Sequence, residues 1–287
     1  MTPTTTSHAM FHPIFSSCGV SAGISPAGTS SAAPLRPPVA KRPQIGTLVS
    51  LACDAVAEIV ATSGLDWVWL DMEHSALGLA ETQRLIQLMS PHVPVLVRVP
   101  DHRASVIHQV LDFGASGIIA PQVKTAEEAL AIVRACYYPP LGNRSVGIGR
   151  AQGYGYHLPA YVAHANQHVA VLLQIEHVDA LDHLPEILST PGLGGIIIGP
   201  YDLSGSLHLL GEVHHATVQT AIASIRQQCQ QANVPVGLFM ANHQTLAQTI
   251  AQGYQLLAVG SDTLFMAQAT HDLVQHARAA LASRGDT

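Results

Sequence analysis

The chain has 287 residues, of which 48% are hydrophobic and only 11% are charged, so it can build one large core. Its formal net charge of −6, with no basic stripe, argues against binding to nucleic acid, and no apolar run approaches the roughly 18 residues that would indicate a membrane span. The four cysteines are far apart and form no CxxC pair, which indicates free thiols in a reducing compartment and predicts a cytoplasmic protein.

Residues 1–43 differ in composition from the rest of the chain. They are rich in Ser, Thr, Pro, Ala and Gly and contain no Asp or Glu, so they cannot bury enough surface to offset the entropy of ordering. We predict a disordered extension, or a start placed too early, ahead of one domain at residues 44–287. A processed targeting segment is the less favoured alternative, because the basic residues of this stretch are few and late.

Eight short apolar runs follow, and amphipathic segments separate them. Runs that are apolar throughout are typical of parallel strands buried on both faces. The predicted strands are 45–51, 67–70, 95–99, 117–120, 169–175, 195–198, 236–239 and 256–259. The predicted helices are 54–63, 79–90, 104–113, 126–137, 179–188, 216–232, 244–252 and 263–282. Thr125 with Glu128 three residues later predicts a capping box at the start of the fourth helix.

Eight strands, each followed by a helix, predict a single-domain (β/α)8 barrel, the α/β fold also called a TIM barrel. A doubly wound open sheet is the alternative. It would normally show a glycine-rich first turn, whereas residues 50–53 read Ser-Leu-Ala-Cys. The one long gap, 139–166, is rich in glycine but lacks the GxGxxG spacing, so we interpret it as an active-site loop rather than a nucleotide-binding turn.

Ionisable and polar residues follow several of the predicted strands. The active site of a barrel lies at the carboxyl ends of its strands, so these residues are expected to meet there. Gln174 and Glu176 alternate with Ile175 and therefore point the same way. The polar residues at these strand ends are Asp71, Glu73, His74, Arg98, Gln174, Glu176 and Asp202.

This set of side chains suits proton transfer beside a hard divalent cation. Carboxylates from different strands, with no cysteine nearby, favour Mg²⁺ or Mn²⁺, which would act on a bound 2-oxo acid as it gains enolate charge. Arg98 would donate to the same oxygen, and His74 is the natural proton carrier. The chain has only two lysines, Lys41 in the extension and Lys124 just before a helix. Neither is placed for an imine-forming aldolase, so enolate chemistry here would depend on a metal.

These residues, in this order, resemble the HpcH/HpaI family of metal-dependent (class II) pyruvate aldolases. The resemblance covers residues 42–269, and its segments are in register with the predicted barrel. They are Arg42-Pro43-Gln44-Ile45-Gly46, Asp71-Met72-Glu73-His74, Val97-Arg98, Leu111-Asp112-Phe113-Gly114, Tyr138-Pro139-Pro140, Gln174-Ile175-Glu176, Gly199-Pro200-Tyr201-Asp202-Leu203-Ser204 and Val259-Gly260-Ser261-Asp262.

The resemblance implies a role for each matching residue. Glu176 and Asp202 match metal ligands, Gln174 matches a polar neighbour of the metal, and Arg98 matches the arginine that grips the pyruvate keto oxygen. His74 matches the catalytic base, paired with Asp112 and supported by Asp71, while Glu73 is expected to bond to water or ligands of the metal. The residues whose backbone N–H groups would hold the pyruvate carboxylate are Tyr201, Asp202 and Leu203.

The implied reaction is cleavage of a 4-hydroxy-2-oxo acid to pyruvate and an aldehyde, or its reverse. It implies a divalent metal (Mg, Mn or Co), no organic cofactor, and a homo-oligomer, a trimer or a hexamer whose trimers exchange the last helix, 263–282. Leu48 departs from the pattern, since many members carry an aromatic residue there, beside the pyruvate methyl group. Arg144 and Arg150 lie in the extended loop, where substrate tails are often met.

Two other functions stay open at this point. The same enolate site would serve a 2-oxo-acid decarboxylase or a CoA-ester lyase, although the arginines do not cluster into a groove for a nucleotide. A non-catalytic, ligand-binding barrel is the alternative outside enzyme chemistry.

Overall fold

Strands and helices alternate along residues 42–283, the part of the chain that the computed structural model describes. Each strand is parallel to the next in sequence, and β8 pairs with β1, so the sheet closes into a barrel. This confirms the predicted single-domain (β/α)8 fold. Apart from its last two residues, the extension predicted at residues 1–43 lies outside the described range. The strands are β1 (Gln44–Val49), β2 (Trp67–Asp71), β3 (Val95–Arg98), β4 (Gly117–Ala120), β5 (Ala170–Ile175), β6 (Gly195–Ile198), β7 (Val236–Met240) and β8 (Leu256–Ser261).

The helices surround the barrel, and no helix in the described range is long and apolar enough to cross a membrane. The capping box at the start of α4 is confirmed, since Thr125 Oγ1 and Glu128 Oε2 each accept from the other residue's backbone N–H at 3.2 Å. The helices are α1 (Asp54–Ala61), α2 (Leu79–Met89), α3 (Ala104–Asp112), α4 (Ala126–Cys136), α5 (Leu158–His168), α6 (Asp179–Asp182), α7 (Leu184–Leu188), α8 (Pro200–Ser206), α9 (Ala216–Gln231), α10 (Leu246–Ala251) and α11 (Asp262–Ala282).

The alternation of side chains along each strand divides the apolar residues into two cores. One core packs the outer face of the sheet against the helices, and a smaller one fills the barrel interior. Gly46 on β1 makes room for this filling, because a Cβ atom there would lie 2.6 Å from the indole of Trp67. The interior residues include Trp67, Trp69, Leu96, Ile119, Leu172, Ile197 and Leu256.

The segment between α4 and β5 lies at the amino-terminal ends of the strands. Its residue Ala151 donates from its backbone N–H to the carbonyl of Asp112, the last residue of α3. A connection that leads from a helix to the next strand belongs to this end of a barrel, whereas the active site is built from the connections that leave the strands. The prediction of an active-site loop at 139–166 is therefore wrong for the chain's own barrel.

A buried arginine holds this segment in place. Arg144 donates from NH2 to Asp112 Oδ1 at 2.7 Å and from NH1 to Tyr161 Oη at 3.2 Å, and its guanidinium lies 4.7 Å from the ring centre of Tyr138. Gln152, also buried, donates to Asp112 Oδ1 at 2.9 Å. Arg144 is thus a structural residue at the end of the barrel opposite the strand carboxyl ends, and it does not meet a substrate in its own chain.

Within the part of the chain that the structure describes, the last helix is attached to the barrel only at its beginning. Asp262 accepts hydrogen bonds from the backbone N–H groups of Ser50 and Leu51, at 2.9 and 2.8 Å. Every residue from 263 to 283 is exposed, including the apolar Phe265, at 49%, and Leu273, at 69%. A helix with large apolar side chains in water on all sides lacks the packing that normally stabilises it.

We expect Asp262→Ala to destabilise the protein by about 1–3 kcal/mol, because it leaves two backbone donors at the end of β1 without their acceptor. Urea unfolding at a fixed protein concentration measures this loss. The matched control is Asp272→Ala on the same helix, where the exposed carboxylate accepts, among the described residues, only from Gln268. Equal stability of the two variants would contradict the assignment of Asp262 as the anchor of α11.

Candidate active site

Residues from five successive strand ends converge at the carboxyl end of the barrel. Asp71 ends β2, Arg98 ends β3, and Glu176 directly follows β5. Asp202 lies in the first turn of α8, which begins two residues after β6. The loop after β4 contributes the backbone of Gln122. The predicted clustering of these groups at one end of the barrel follows from the parallel order of the strands.

Arg98 and Asp71 form a buried pair with two parallel hydrogen bonds. Their strands place them side by side in register, and Arg98 donates from Nε to Oδ1 and from NH2 to Oδ2, both at 2.7 Å. Burial alone would lower the pKa of Arg98, but Asp71, Glu73 and Glu176 raise it above its ordinary value. The guanidinium is therefore a permanent cation with a fixed orientation.

Glu73 contacts Arg98 of this pair, and His74 lies beside Glu73. Glu73 Oε2 lies 3.1 Å from Arg98 NH1 and 3.8 Å from His74 Nε2. Burial raises the pKa of Glu73 above its ordinary value, opposed by Arg98 and His74 and reinforced by Asp71 and Asp202. The His74 side chain is 66% exposed, so it faces the open mouth of the barrel, where a substrate would enter.

Glu176 is the most perturbed carboxyl group of the site. It accepts from the backbone N–H of Gln122 at 2.8 Å and from the side-chain amide of Gln174. Burial, reinforced by the negative charges of Asp202 and Glu73, raises its pKa to about 7 against the opposing hydrogen bonds from Gln122 and Gln174. Gly199 allows this packing, since a Cβ atom at that position would overlap the Glu176 carboxylate.

The beginning of α8 offers two backbone donors at this end of the barrel. Pro200, the first helical residue, has no N–H, and the N–H of Leu203 donates to the carbonyl of Gly199 at 3.0 Å. Leu203 therefore does not hold a ligand through its N–H group, contrary to the prediction. The N–H groups of Tyr201 and Asp202 precede the first intrahelical bond and point out of the helix start, where an anion is favoured.

The acidic group around Glu176 fits a divalent metal ion. Glu176 is 2% exposed and carries like-charged neighbours, and Gln174 Oε1 is a buried acceptor with no hydrogen-bond donor in the described range. Oxygen donors that repel one another are what Mg²⁺ or Mn²⁺ would bind. Across residues 42–283, no three His, Cys, Asp or Glu side chains gather as a complete metal site, so a metal held by Glu176 and Asp202 needs further ligands from substrate and water.

Asp112 does not join this group within the chain. It ends α3, near the amino-terminal ends of the strands, and its carboxylate is bonded to Arg144 and Gln152. His74 lies at the other end of the same barrel. The predicted pairing of His74 with Asp112 is not formed inside one chain.

Two contributors to the site were not predicted. Gln122 holds Glu176 through its backbone, with φ at 54°, a left-handed conformation that costs a non-glycine residue free energy. Trp69 lies under the guanidinium of Arg98, and the guanidinium carbon is 5.0 Å from the centre of the Trp69 ring. A backbone donor leaves no trace in the residue type, and Trp69 is indistinguishable by sequence from the filling of a buried strand.

The raised pKa of Glu176 predicts how stability depends on pH without metal. Between its ordinary value of 4.5 and about 7, the folded protein holds a proton that the unfolded chain releases. Stability is therefore highest at the acidic end of this range and falls as pH rises through about 7. Urea unfolding in a chelator should show this loss, and Glu176→Gln should remove it. Mg²⁺ added at pH 8 should restore stability, and identical pH profiles for the two proteins would contradict the assignment.

Comparison with known proteins places these residues in a wider context. The family model described as HpcH/HpaI aldolase/citrate lyase matches residues 44–269. The chain is 38% identical over 236 residues to a 4-hydroxy-2-oxo-heptane-1,7-dioate aldolase of Klebsiella pneumoniae, covering 82% of this chain and 89% of that protein. It is 36% identical over 244 residues to a hydroxypyruvate/pyruvate aldolase of Paraburkholderia phytofirmans, covering 82% and 94%. A solved HpcH/HpaI aldolase/citrate lyase family protein of Burkholderia cenocepacia has a TM-score of 0.80 at 32% identity, covering 83% and 96%.

Proposed function

We propose how the protein works from the fact that the chain belongs to the HpcH/HpaI aldolase/citrate lyase family. The protein is an aldolase, a carbon–carbon lyase that cleaves a 4-hydroxy-2-oxo acid into pyruvate and an aldehyde, or joins the two. The observation that carries the proposal is the position of Arg98, a buried cation whose orientation is fixed by Asp71, beside the acidic group of Glu176 and Asp202.

Arg98 is suited to hold the 2-oxo group of the substrate. A guanidinium has five N–H groups, and Asp71 accepts from Nε and one hydrogen of NH2. With Glu73 beside NH1, one N–H on each terminal nitrogen remains for a substrate oxygen. Because the site is buried, these donors stabilise the negative charge that gathers on this oxygen as the carbon–carbon bond breaks.

Glu176 and Asp202 are the proposed ligands of a divalent metal ion, Mg²⁺, Mn²⁺ or Co²⁺, with Gln174 beside them. When bound, the metal supplies a Lewis acid for the 2-oxo group. The substrate carboxylate is assigned to the N–H groups of Tyr201 and Asp202 at the start of α8.

His74 is the proposed base. In cleavage, it takes the proton of the C4 hydroxyl group, the C3–C4 bond breaks, and its electron pair moves into the enolate of pyruvate while C4 becomes the aldehyde carbonyl. The protonated His74 then gives this proton to C3 of the enolate, which completes pyruvate and restores the base. The exposed imidazole of His74 exchanges protons with water readily, and Asp71 keeps Arg98 in place throughout.

Exchange of the pyruvate methyl protons with D₂O tests this proposal without knowledge of the aldehyde. NMR follows the exchange, and we expect it to require a divalent metal. In His74→Ala, the exchange rate should fall strongly while the affinity for pyruvate changes little. Absence of exchange with Mg²⁺, Mn²⁺ and Co²⁺ would refute the aldolase assignment.

We propose a homo-oligomer, and its support is the exposure of α11. The helix leaves the barrel after Asp262 with its apolar side chains in solvent, so a second copy of the chain is the natural cover. A second copy is also required if Asp112 pairs with His74, since the two lie at opposite ends of one barrel.

Leu273→Glu tests this assembly. A charge among the exposed apolar side chains of α11 should shift the protein toward smaller species in sedimentation. Gln268→Glu, which changes a polar residue of the same helix, should not. An unchanged oligomer in the Leu273→Glu variant would contradict the role of α11.

A further inference from the structure

Trp69 occupies the layer of the barrel interior directly beneath the buried pair of Arg98 and Asp71. It precedes Asp71 by two residues on β2, so both side chains point into the barrel. Its ring meets that of Phe239 edge-on, with centres 6.3 Å apart and planes at 75°. The guanidinium carbon of Arg98 lies 5.0 Å from the centre of the Trp69 ring, within the range of a cation–π contact.

The two tryptophans of the chain differ in one respect. Trp67 Nε1 donates to the carbonyl of Gln44 at 3.3 Å. Trp69 is 1% exposed, yet its Nε1–H has no acceptor in the described range. A buried donor without a partner is unfavourable, and an apolar side chain such as leucine or phenylalanine, although smaller, would not carry that cost. The ring that carries this N–H contacts Arg98, and no acceptor for it lies within residues 42–283, so an oxygen bound beside Arg98 is the partner that we consider.

We propose that Trp69 is a positioning residue of this site. Its ring fixes the plane of the Arg98 guanidinium, and its Nε1–H donates to an oxygen that arrives with the 2-oxo acid. The inference rests on the proposed pyruvate chemistry and adds a third constraint to Arg98. Asp71 holds one edge of the guanidinium, Glu73 lies beside NH1, and Trp69 supports its face.

An NMR experiment on the full-length protein tests the donated hydrogen bond. Labelling with ¹⁵N at the indole nitrogen yields two signals, and Trp67→Phe assigns them. Saturating pyruvate with Mg²⁺ should shift the Trp69 signal and leave the Trp67 signal in place, because Trp67 keeps its bond to Gln44. A Trp69 signal that does not move would overturn the proposal, as would equal shifts of both signals.

Two substitutions separate the ring from its N–H group. Trp69→Phe keeps a ring under Arg98 and should raise the KM for pyruvate in the exchange reaction roughly tenfold with kcat nearly unchanged. Trp69→Leu also removes the support of Arg98 and should lower kcat by a further factor of roughly ten. Trp67→Phe is the matched control and should change neither constant.

The outcome for Trp69 is distinguishable from the outcome for the proposed function. If the unaltered protein exchanges pyruvate protons while Trp69→Phe retains the same KM and kcat, the inference on Trp69 is wrong and the aldolase assignment stands. If the unaltered protein shows no exchange with any of the three metals, the aldolase assignment fails and this inference fails with it.

Discussion

Glu176→Gln is expected to abolish most of the proton exchange while making the metal-free protein more stable. The amide still accepts from the N–H of Gln122, but it no longer carries the charge proposed to bind the metal. We expect exchange of the pyruvate protons to fall at least about a hundredfold, since even groups that only support a metal ligand are worth about 10- to 100-fold. Stability at pH 8 in a chelator should rise, because a buried charge with acidic neighbours has been removed.

The opposite signs of the two effects make this prediction specific. A residue whose function was only structural would lose activity and stability together. The matched control is Glu186→Gln on α7, where the carboxylate is exposed, and both measurements should be unchanged there. Exchange retained within tenfold in Glu176→Gln would contradict the assignment of Glu176 as a metal ligand.

Arg98→Met is expected to be the most destabilising of these substitutions. It leaves Asp71 buried, at 2% exposure, without its partner, which typically costs about 3–5 kcal/mol. Urea unfolding at a fixed protein concentration measures this loss. Exchange of pyruvate protons should fall by roughly 10²- to 10³-fold, the effect of removing a donor aimed at developing negative charge.

A double variant separates the two consequences. Arg98→Met combined with Asp71→Leu removes both charges, so much of the lost stability should return, while exchange should remain as low as in the single variant. Arg103→Met is the control, since that arginine is exposed and its one ion pair within residues 42–283 is with Asp101, at the surface. Recovery of exchange in the double variant would refute the role of Arg98 in holding substrate.

The barrel itself could be predicted because its strands are buried on both faces. Runs such as Val95–Arg98 and Gly195–Ile198 are apolar almost throughout, and their boundaries in the structure lie within two residues of the predicted ones. Once the strands are placed, their parallel order brings Asp71, Arg98 and Glu176 to one end.

The features that were missed depend on contacts that residue types do not reveal. The segment before β5 was assigned to the active site because its glycines indicate a flexible loop, yet its position after α4 already places it at the opposite end. It is held against α3 by Arg144, which is bonded to Asp112 and Tyr161. Likewise, the engaged N–H of Leu203 and the left-handed backbone of Gln122 appear only when the chain is folded.

The anchor formed by Asp262 also bears on the rate at which the barrel forms. Its hydrogen bond to Ser50 joins residues 212 positions apart, at the seam where the first strand meets the last. Contacts between such distant positions form slowly, because a long loop must close before they gain anything. During synthesis, β1 therefore waits for nearly the whole chain to emerge before its neighbour β8 can pair with it. Until then, the edge of β1 is free to pair with other strands. We therefore expect misfolding to begin at this seam, and chaperones to act there.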